Sequence, residues 1–311
     1  EEPGMNKPIR PPVFVQSWRK AVAVLFLAAL FDGIANAQIY ALNSQNGTIG
    51  EYTLSGTPIN TSLVSGLDDP GGMAISGNTI YVGELNGDIA TYSTSGTLLN
   101  PALITGLTVP AGIAIVGNDL YVANSGNDPN GTVGEYTTSG TTINASLIGG
   151  LANPTDVVSD GTYLYVANWS SGVIGKYTLS GAAVNTSLIG GLTYAGGLAL
   201  NGTGDLFISQ ISGNVGEYTT SGTVLHASLF NNSYNSGEGL VVFGSDIFAA
   251  DNYGGAGGNV IGEYTTSGQT VNAALITGLS NPVDFVIVPE PPAGALLAVA
   301  TVLIFLKRNR D

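Results

Sequence analysis

Between Gln38 and Val288 the apolar residues fall in short runs separated by Gly, Asn, Asp and Ser. One stretch, Pro110 to Leu151, shows the pattern in full. Gly112 to Val116 is a short apolar run, and Gly117-Asn118 punctuates it. Leu120 to Asn124 is a second run, followed by a polar, Gly-rich segment. Thr132 to Thr137 is a third, closed by Ser139-Gly140, and Thr142 to Ile148 is a fourth. Short runs rich in β-branched and aromatic residues, bounded by turn formers, predict strands. Gly and Ser at the boundaries supply the turn conformations.

The same pattern returns along the chain. Val133-Gly134-Glu135-Tyr136-Thr137-Thr138-Ser139-Gly140 exists in six versions, with tyrosines at Tyr52, Tyr92, Tyr136, Tyr177, Tyr218 and Tyr264. Their spacings are 40, 44, 41, 41 and 46 residues. Four short strands at such a period are the signature of a propeller blade. The second-strand element also occurs six times, from Ile39-Tyr40-Ala41 to Ile247-Phe248-Ala249. The first-strand element occurs near Met73, Ile113, Val157, Leu198, Leu240 and Phe285. The chain thus begins at strand two of a blade and ends at strand one. The expected fold is all-β: a six-bladed β-propeller of four-stranded blades, closed by pairing of residues 283–288 with the N-terminal blade. Closure removes a free sheet edge. It makes 38–288 one domain, flanked by 1–37 and 289–311, each flank carrying a short hydrophobic helix.

Charge narrows the partners. From Gln38 to Val288 there is one Lys or Arg, Lys176, against 17 Asp and Glu, a net charge near −16. Such a surface repels phosphate backbones and excludes nucleic acid. The chain has no cysteine, so thiol nucleophiles and thiolate metal sites are excluded.

The remaining basic residues sit at the ends. Arg19 and Lys20 precede the apolar run Ala21 to Phe31, and Ala35-Asn36-Ala37 places small residues at a cleavage site before Gln38. This pattern reads as an export signal cut by a signal peptidase, and an N-terminal buried helix is the other reading. At the other end, Pro289-Glu290-Pro291 is followed by the apolar span Ala293 to Leu306 and by Lys307, Arg308 and Arg310. An apolar span before a basic tail is a stop-transfer pattern, although 14 residues fall short of the roughly 20 that span a bilayer. The order of the three parts resembles the PEP-CTERM sorting signal. That resemblance implies recognition by an exosortase, removal of the tail after a membrane stage, and a Gram-negative bacterium that makes exopolysaccharide. An ordinary membrane anchor is the other reading. The central repeats resemble six-bladed propellers of the NHL and gluconolactonase-like superfamily. Tyr121-Val122-Ala123-Asn124, Tyr165-Val166-Ala167-Asn168 and the prolines Pro70, Pro110, Pro154 and Pro282 carry this likeness. It implies the fold and transfers no reaction.

Candidate chemistry lies where loops vary, on the face bearing the strand two–three connections. Strand two ends in Asn43, Glu84, Asn124, Asn168, Gln210 and Asp251. These residues are either oxygen ligands around the axis or turn caps. Glu238, Asp251 and Asp284 form a candidate metal set, because three carboxylates near one channel mouth repel unless neutralised. A divalent cation is the one cofactor this suggests. Asp156 occupies the same repeat position as Asp284. Trp169, the one Trp between Gln38 and Val288, forms a candidate glycan site with Asn124, Asn168 and Tyr253. The alternative is that Trp169 packs between blades. His226, the single histidine, replaces an Asn of the other repeats and suits a surface position better than a catalytic one. No catalytic residue is assigned. The expectation is an exported, non-enzymatic binding or structural protein of the envelope or exopolysaccharide matrix, with a glycan or envelope protein as partner. The alternative is a metal-dependent hydrolase of lactonase type with its site at the channel mouth.

Overall fold

A computed structural model describes residues 37–126, 129–231, 239–252 and 259–289. They form six four-stranded sheets arranged in a ring. Blade 1 contains β1 (Gln38–Asn43), β2 (Thr48–Thr53) and β3 (Pro58–Ser65). Blade 2 is β4 (Gly72–Ser76), β5 (Thr79–Gly83), β6 (Ile89–Ser93) and β7 (Leu98–Ile104). Blade 3 is β8 (Pro110–Val116), β9 (Asp119–Asn124), β10 (Gly131–Thr137) and β11 (Thr142–Leu151). Blade 4 is β12 (Pro154–Ser159), β13 (Tyr163–Asn168), β14 (Val173–Thr178) and β15 (Ala183–Ile189). Blade 5 is β16 (Ala195–Leu200), β17 (Asp205–Gln210), β18 (Asn214–Thr219) and β19 (Val224–Asn231). Blade 6 is β20 (Leu240–Phe243), β21 (Asp246–Asp251), β22 (Val260–Thr265) and β23 (Thr270–Ile276). The last strand, β24 (Pro282–Val288), returns to pair with β1 and becomes the innermost strand of blade 1. Innermost strands of successive blades touch around the full circle, from β4 through β8, β12, β16 and β20 to β24 and back to β4. The expected closure is therefore observed.

The repeated residues have local causes. Alternate side chains of a strand share a face, so Tyr52 lies over Gly50, and a side chain on Gly50 would strike its ring. Gly134 under Tyr136, Gly175 under Tyr177, Gly216 under Tyr218 and Gly262 under Tyr264 repeat the arrangement. The Ser-Gly turn answers two demands at once. Gly56, Gly96, Gly140, Gly181, Gly222 and Gly268 all adopt φ between 81 and 90°, or 80° for Gly181, which disfavours other residues. A side chain there would also meet a carbonyl of the outer strand of the preceding blade, Leu275 O for Gly56 and Leu63 O for Gly96. The turn is thus a blade-to-blade packing point.

The outer strands each bulge opposite the third strand, and an asparagine caps the bulge. Asn60 Oδ1 accepts the Ser62 amide at 3.2 Å, and Asn100, Asn144, Asn185 and Asn272 act alike. The Asn-x-Ser pattern is a bulge device. His226, at the same register, instead holds Glu217 through Nδ1 at 2.6 Å on the exposed edge.

The core runs along strand two. Tyr121, Tyr165, Phe207 and Phe248 are fully buried there. Their blades are tied together by polar contacts on the face of the Ser-Gly turns. Tyr81 donates to Thr138 O at 3.1 Å and Tyr121 to Leu179 O at 3.3 Å. Between blades 4 and 5, Lys176 Nζ donates to Thr220 O at 3.0 Å and lies over the rings of Tyr163 and Tyr165. The helices expected at the chain ends, with Ala35, Glu290, Pro291, Lys307, Arg308 and Arg310, lie outside the described residues. Ala37 is buried, and Pro289 directly follows β24.

Candidate functional site

The connections from strand two to three and from strand four to the next blade meet on one face. There they surround an axial cavity of about 360 Å³. Leu85, Val109, Ser125, Trp169, Asp156 and Asp284 are among its lining residues.

The rim is built by one repeated contact. The residue after strand two donates its amide to the residue before the inner strand of its own blade: Ser44 N to Asn281 O, Trp169 N to Asn153 O at 3.0 Å, and Ser125 N to Val109 O at 3.1 Å. These acceptors lie in the left-handed region, with φ of 56° at Asn281, 55° at Asn153 and 56° at Val109. Asn tolerates that conformation. A β-branched valine does so only under strain from its surroundings.

The residues that end strand two turn their side chains into these connections. Asn124 Oδ1 accepts the Thr108 amide at 2.6 Å, Asn168 Oδ1 that of Ala152 at 3.2 Å, Asn43 Oδ1 that of Ser280 and Gln210 Oε1 that of Thr193. Asn168 Nδ2 also donates to Val166 O and Val173 O. This is capping. It commits the carbonyl oxygens of Asn124 and Asn168 to the backbone. Glu84 acts alike on Asp68, and burial, with the charges of Asp68 and Asp88, raises its pKa.

Asp156 and Asp284 occupy equivalent places on β12 and β24, three blades apart and so on opposite sides of the ring. Asp156 Oδ1 accepts the amide of Val157 at 2.8 Å and Oδ2 that of Leu198, in the next blade, at 2.7 Å. Asp284 accepts from Phe285 at 2.8 Å and from Met73, in the next blade, at 2.7 Å. Each carboxylate staples its blade to the next one. Burial pushes the pKa of Asp156 up to about 6, against the pull of its two amide donors. In the other blades the position is glycine, and for Gly112 a side chain would collide with Asp156 itself.

Of the candidate metal set, Asp284 lies on the cavity wall and Asp251 is buried at the end of β21. Glu238 lies outside the described residues, as does Tyr253 of the glycan set. Among the described residues no cluster of three acidic or histidine side chains could hold a metal. Trp169 stands half-buried at the cavity, its ring 5.4 Å from that of Tyr194 and tilted 38° to it. Tyr194 is 48% exposed and holds φ of 52°. Sequence reasoning misses Tyr194, because the same position holds Asp69, Val109, Asn153 and Asn281 in other blades and shows no residue pattern.

One signal was available. Strand two to the blade tyrosine spans 9 residues in blade 1 (Asn43 to Tyr52), 8 in blade 2 (Glu84 to Tyr92) and 12 in blade 3 (Asn124 to Tyr136). The series restarts with 9 (Asn168 to Tyr177), 8 (Gln210 to Tyr218) and 13 (Asp251 to Tyr264). The inner-strand series Gly72, Gly112, Asp156, Gly197, Gly239, Asp284 has the same three-blade period. The ring is two pseudo-equivalent halves, blades 1–3 and blades 4–6.

No protein-family model matches the sequence, and no curated protein matches it. Among solved structures, the chain is similar to one in a nidogen/laminin complex, with a TM-score of 0.63 and 15% identity over 81% of this chain and 98% of that one. It is also similar to streptogramin B lyase, with a TM-score of 0.57 and 18% identity over 80% and 91% of the two chains. At these identities the likeness shows the propeller fold alone.

Proposed function

We propose that this propeller is an exported, exosortase-sorted protein of the cell envelope or exopolysaccharide matrix, a relative of the NHL and gluconolactonase-like group that binds glycan without chemistry. The observation that carries the binding role is Trp169 on the wall of the axial cavity, with the exposed Tyr194 ring beside it. Aromatic rings at an open mouth stack on the apolar faces of sugars, and neighbouring polar groups bond hydroxyls. The carboxylates on the wall favour this over a metal-dependent hydrolase. Both oxygens of Asp156 and of Asp284 already hold backbone amides. Export and sorting rest on the sequence of the two ends, Ala35 and Ala37 before Gln38, and Pro289-Glu290-Pro291 before the apolar span and Lys307, Arg308 and Arg310.

The test is Trp169→Ala in the processed protein from producing cells. Retention by the cells' exopolysaccharide should fall by about tenfold or more, the loss of one stacking anchor, while the melting temperature stays nearly unchanged. Unchanged retention, or tight stoichiometric metal with lactone hydrolysis in the parent, would overturn the reading.

A further inference from the structure

The pseudo-twofold frame gives each rim residue a counterpart. Trp169, after β13 in blade 4, corresponds to Ser44 after β1 in blade 1. Tyr194, before β16 in blade 5, corresponds to Asp69 before β4 in blade 2. The backbone is the same at each pair. Ser44 N and Trp169 N both donate at 3.0 Å to the left-handed residue of their blade, and Asp69 and Tyr194 have φ of 42° and 52°. Two halves that keep one backbone and change these side chains have divided the mouth into an aromatic side and an acidic side.

The acidic side is not offset by cations. Asp69, on blade 2, and Asp284, on blade 1, line this side of the cavity, and Asp156 lies across from them on blade 4. Asp68, Glu84 and Asp88 lie beside Asp69 on blade 2, and the charges of Asp68 and Asp88 act on Glu84. From Gln38 to Val288 the basic side chains are Lys176 and His226. Lys176 is bound to Thr220 O on the opposite face, and His226 to Glu217 on an outer strand. A concave site lined by one sign of charge concentrates its field. Ring faces of Trp and Tyr attract cations by their quadrupoles. The volume is at the low end of the roughly 300–1,000 Å³ of ligand pockets, which suits a short segment.

We infer that the glycan taken at this mouth carries free, protonated amines, so that one amino sugar stacks on Trp169 and Tyr194 while an ammonium of another sugar in the same short segment faces Asp69 across the mouth. The inference rests on the glycan-binding reading and narrows it. Neutral sugar would gain the stacking alone. Uronate-bearing sugar would be repelled.

Three oligosaccharide probes test it in the full chain carrying Trp18→Phe, which leaves Trp169 as the indole reporter. They are a glucosamine tetramer, its fully N-acetylated form and a galacturonate tetramer, titrated by Trp fluorescence at mildly acidic pH. The glucosamine tetramer should bind about tenfold tighter than the acetylated one, with an affinity that falls as salt rises. The galacturonate tetramer should not bind measurably. Asp69→Asn, which keeps a residue tolerant of the left-handed conformation, should remove most of that preference, and Trp169→Ala, followed by titration calorimetry because it removes the reporter, should weaken both amino-sugar probes. If the acetylated or acidic oligomer binds as tightly as the amine, in a Trp169-dependent way, the charge inference fails and glycan binding stands. If no probe binds, or Trp169→Ala changes nothing, both fail.

Discussion

The two halves of the ring, blades 1–3 and blades 4–6, agree where the fold needs them to. They differ at a few side chains. They share the 9, 8 and 12–13 residue spacings and the Asp staples. They also share Asn60-Thr61-Ser62-Leu63 and Asn185-Thr186-Ser187-Leu188 on β3 and β15. They differ at Ser44 and Asp69 against Trp169 and Tyr194, at Glu84 against Gln210, and at Tyr81 and Tyr121 against Phe207 and Phe248. The lesson is a way to separate structure from function inside one chain. A feature present in both halves at the same bonds is scaffold, whatever its chemistry suggests. A feature confined to one half is where the molecule has been specialised. Asp156 and Asp284, which look like chemistry, fall in the first group. Trp169 and Tyr194 fall in the second.

The comparison can be broken most severely at its junction. Removing residues 282–288 should abolish the cooperative thermal transition followed by circular dichroism. It takes away the innermost strand of blade 1, with the buried Phe285, and frees the edge of β1. A truncated chain that melts like the parent would mean that the ring closes without β24. Next in size are the staples. Asp156→Ala and Asp284→Ala each strand two inner-strand amides, and each should cost about 2–3 kcal/mol of unfolding free energy in urea. Similar losses in the two variants would confirm equivalence of the halves. A loss confined to one would break it.

A smaller effect comes from pH. The folded pKa of Asp156, about 6, lies above its ordinary 3.8. Between these values the folded state binds more protons than the unfolded one, so this group's contribution to stability increases as pH falls through 6 and is complete below 3.8. The parent should therefore gain melting temperature, relative to Asp156→Asn, on going from pH 7 to pH 4.5. A flat difference would show that the carboxyl is not buried as described. The smallest expected change is Tyr81→Phe. It copies the second half's Phe207 and removes the hydroxyl bond to Thr138 O. A loss of about 0.5–1.5 kcal/mol is expected, and none at all would mean that the seam between blades 2 and 3 does not use that bond.

Much of the scaffold was legible because its causes are local and recur. Gly under Tyr, Ser-Gly at the turn and the missing first strand of blade 1 all follow from strand geometry and turn chemistry acting within one repeat. The site was legible only in part. Trp169 is conspicuous as a lone indole, yet its partner Tyr194 occupies a rim position where each blade carries something different. Asn124 and Asn168 look like ligands or caps in sequence, and only the geometry of their carbonyl oxygens decides for caps. The shared repeat position of Asp156 and Asp284 is legible in sequence, but that both carboxylates bind backbone amides of the next blade is seen only in the fold.

The strand that closes the ring also determines how the ring would answer a mechanical load. β1 ends and β24 begins at the cavity mouth, so β1 begins and β24 ends on the opposite side. Ile39 and Val288 therefore both lie on the side of the propeller away from the mouth. A pull on the C-terminal end would load β24 along its own length. The backbone bonds to β1 and the Asp284 staple to Met73 would then be sheared together rather than unzipped one by one.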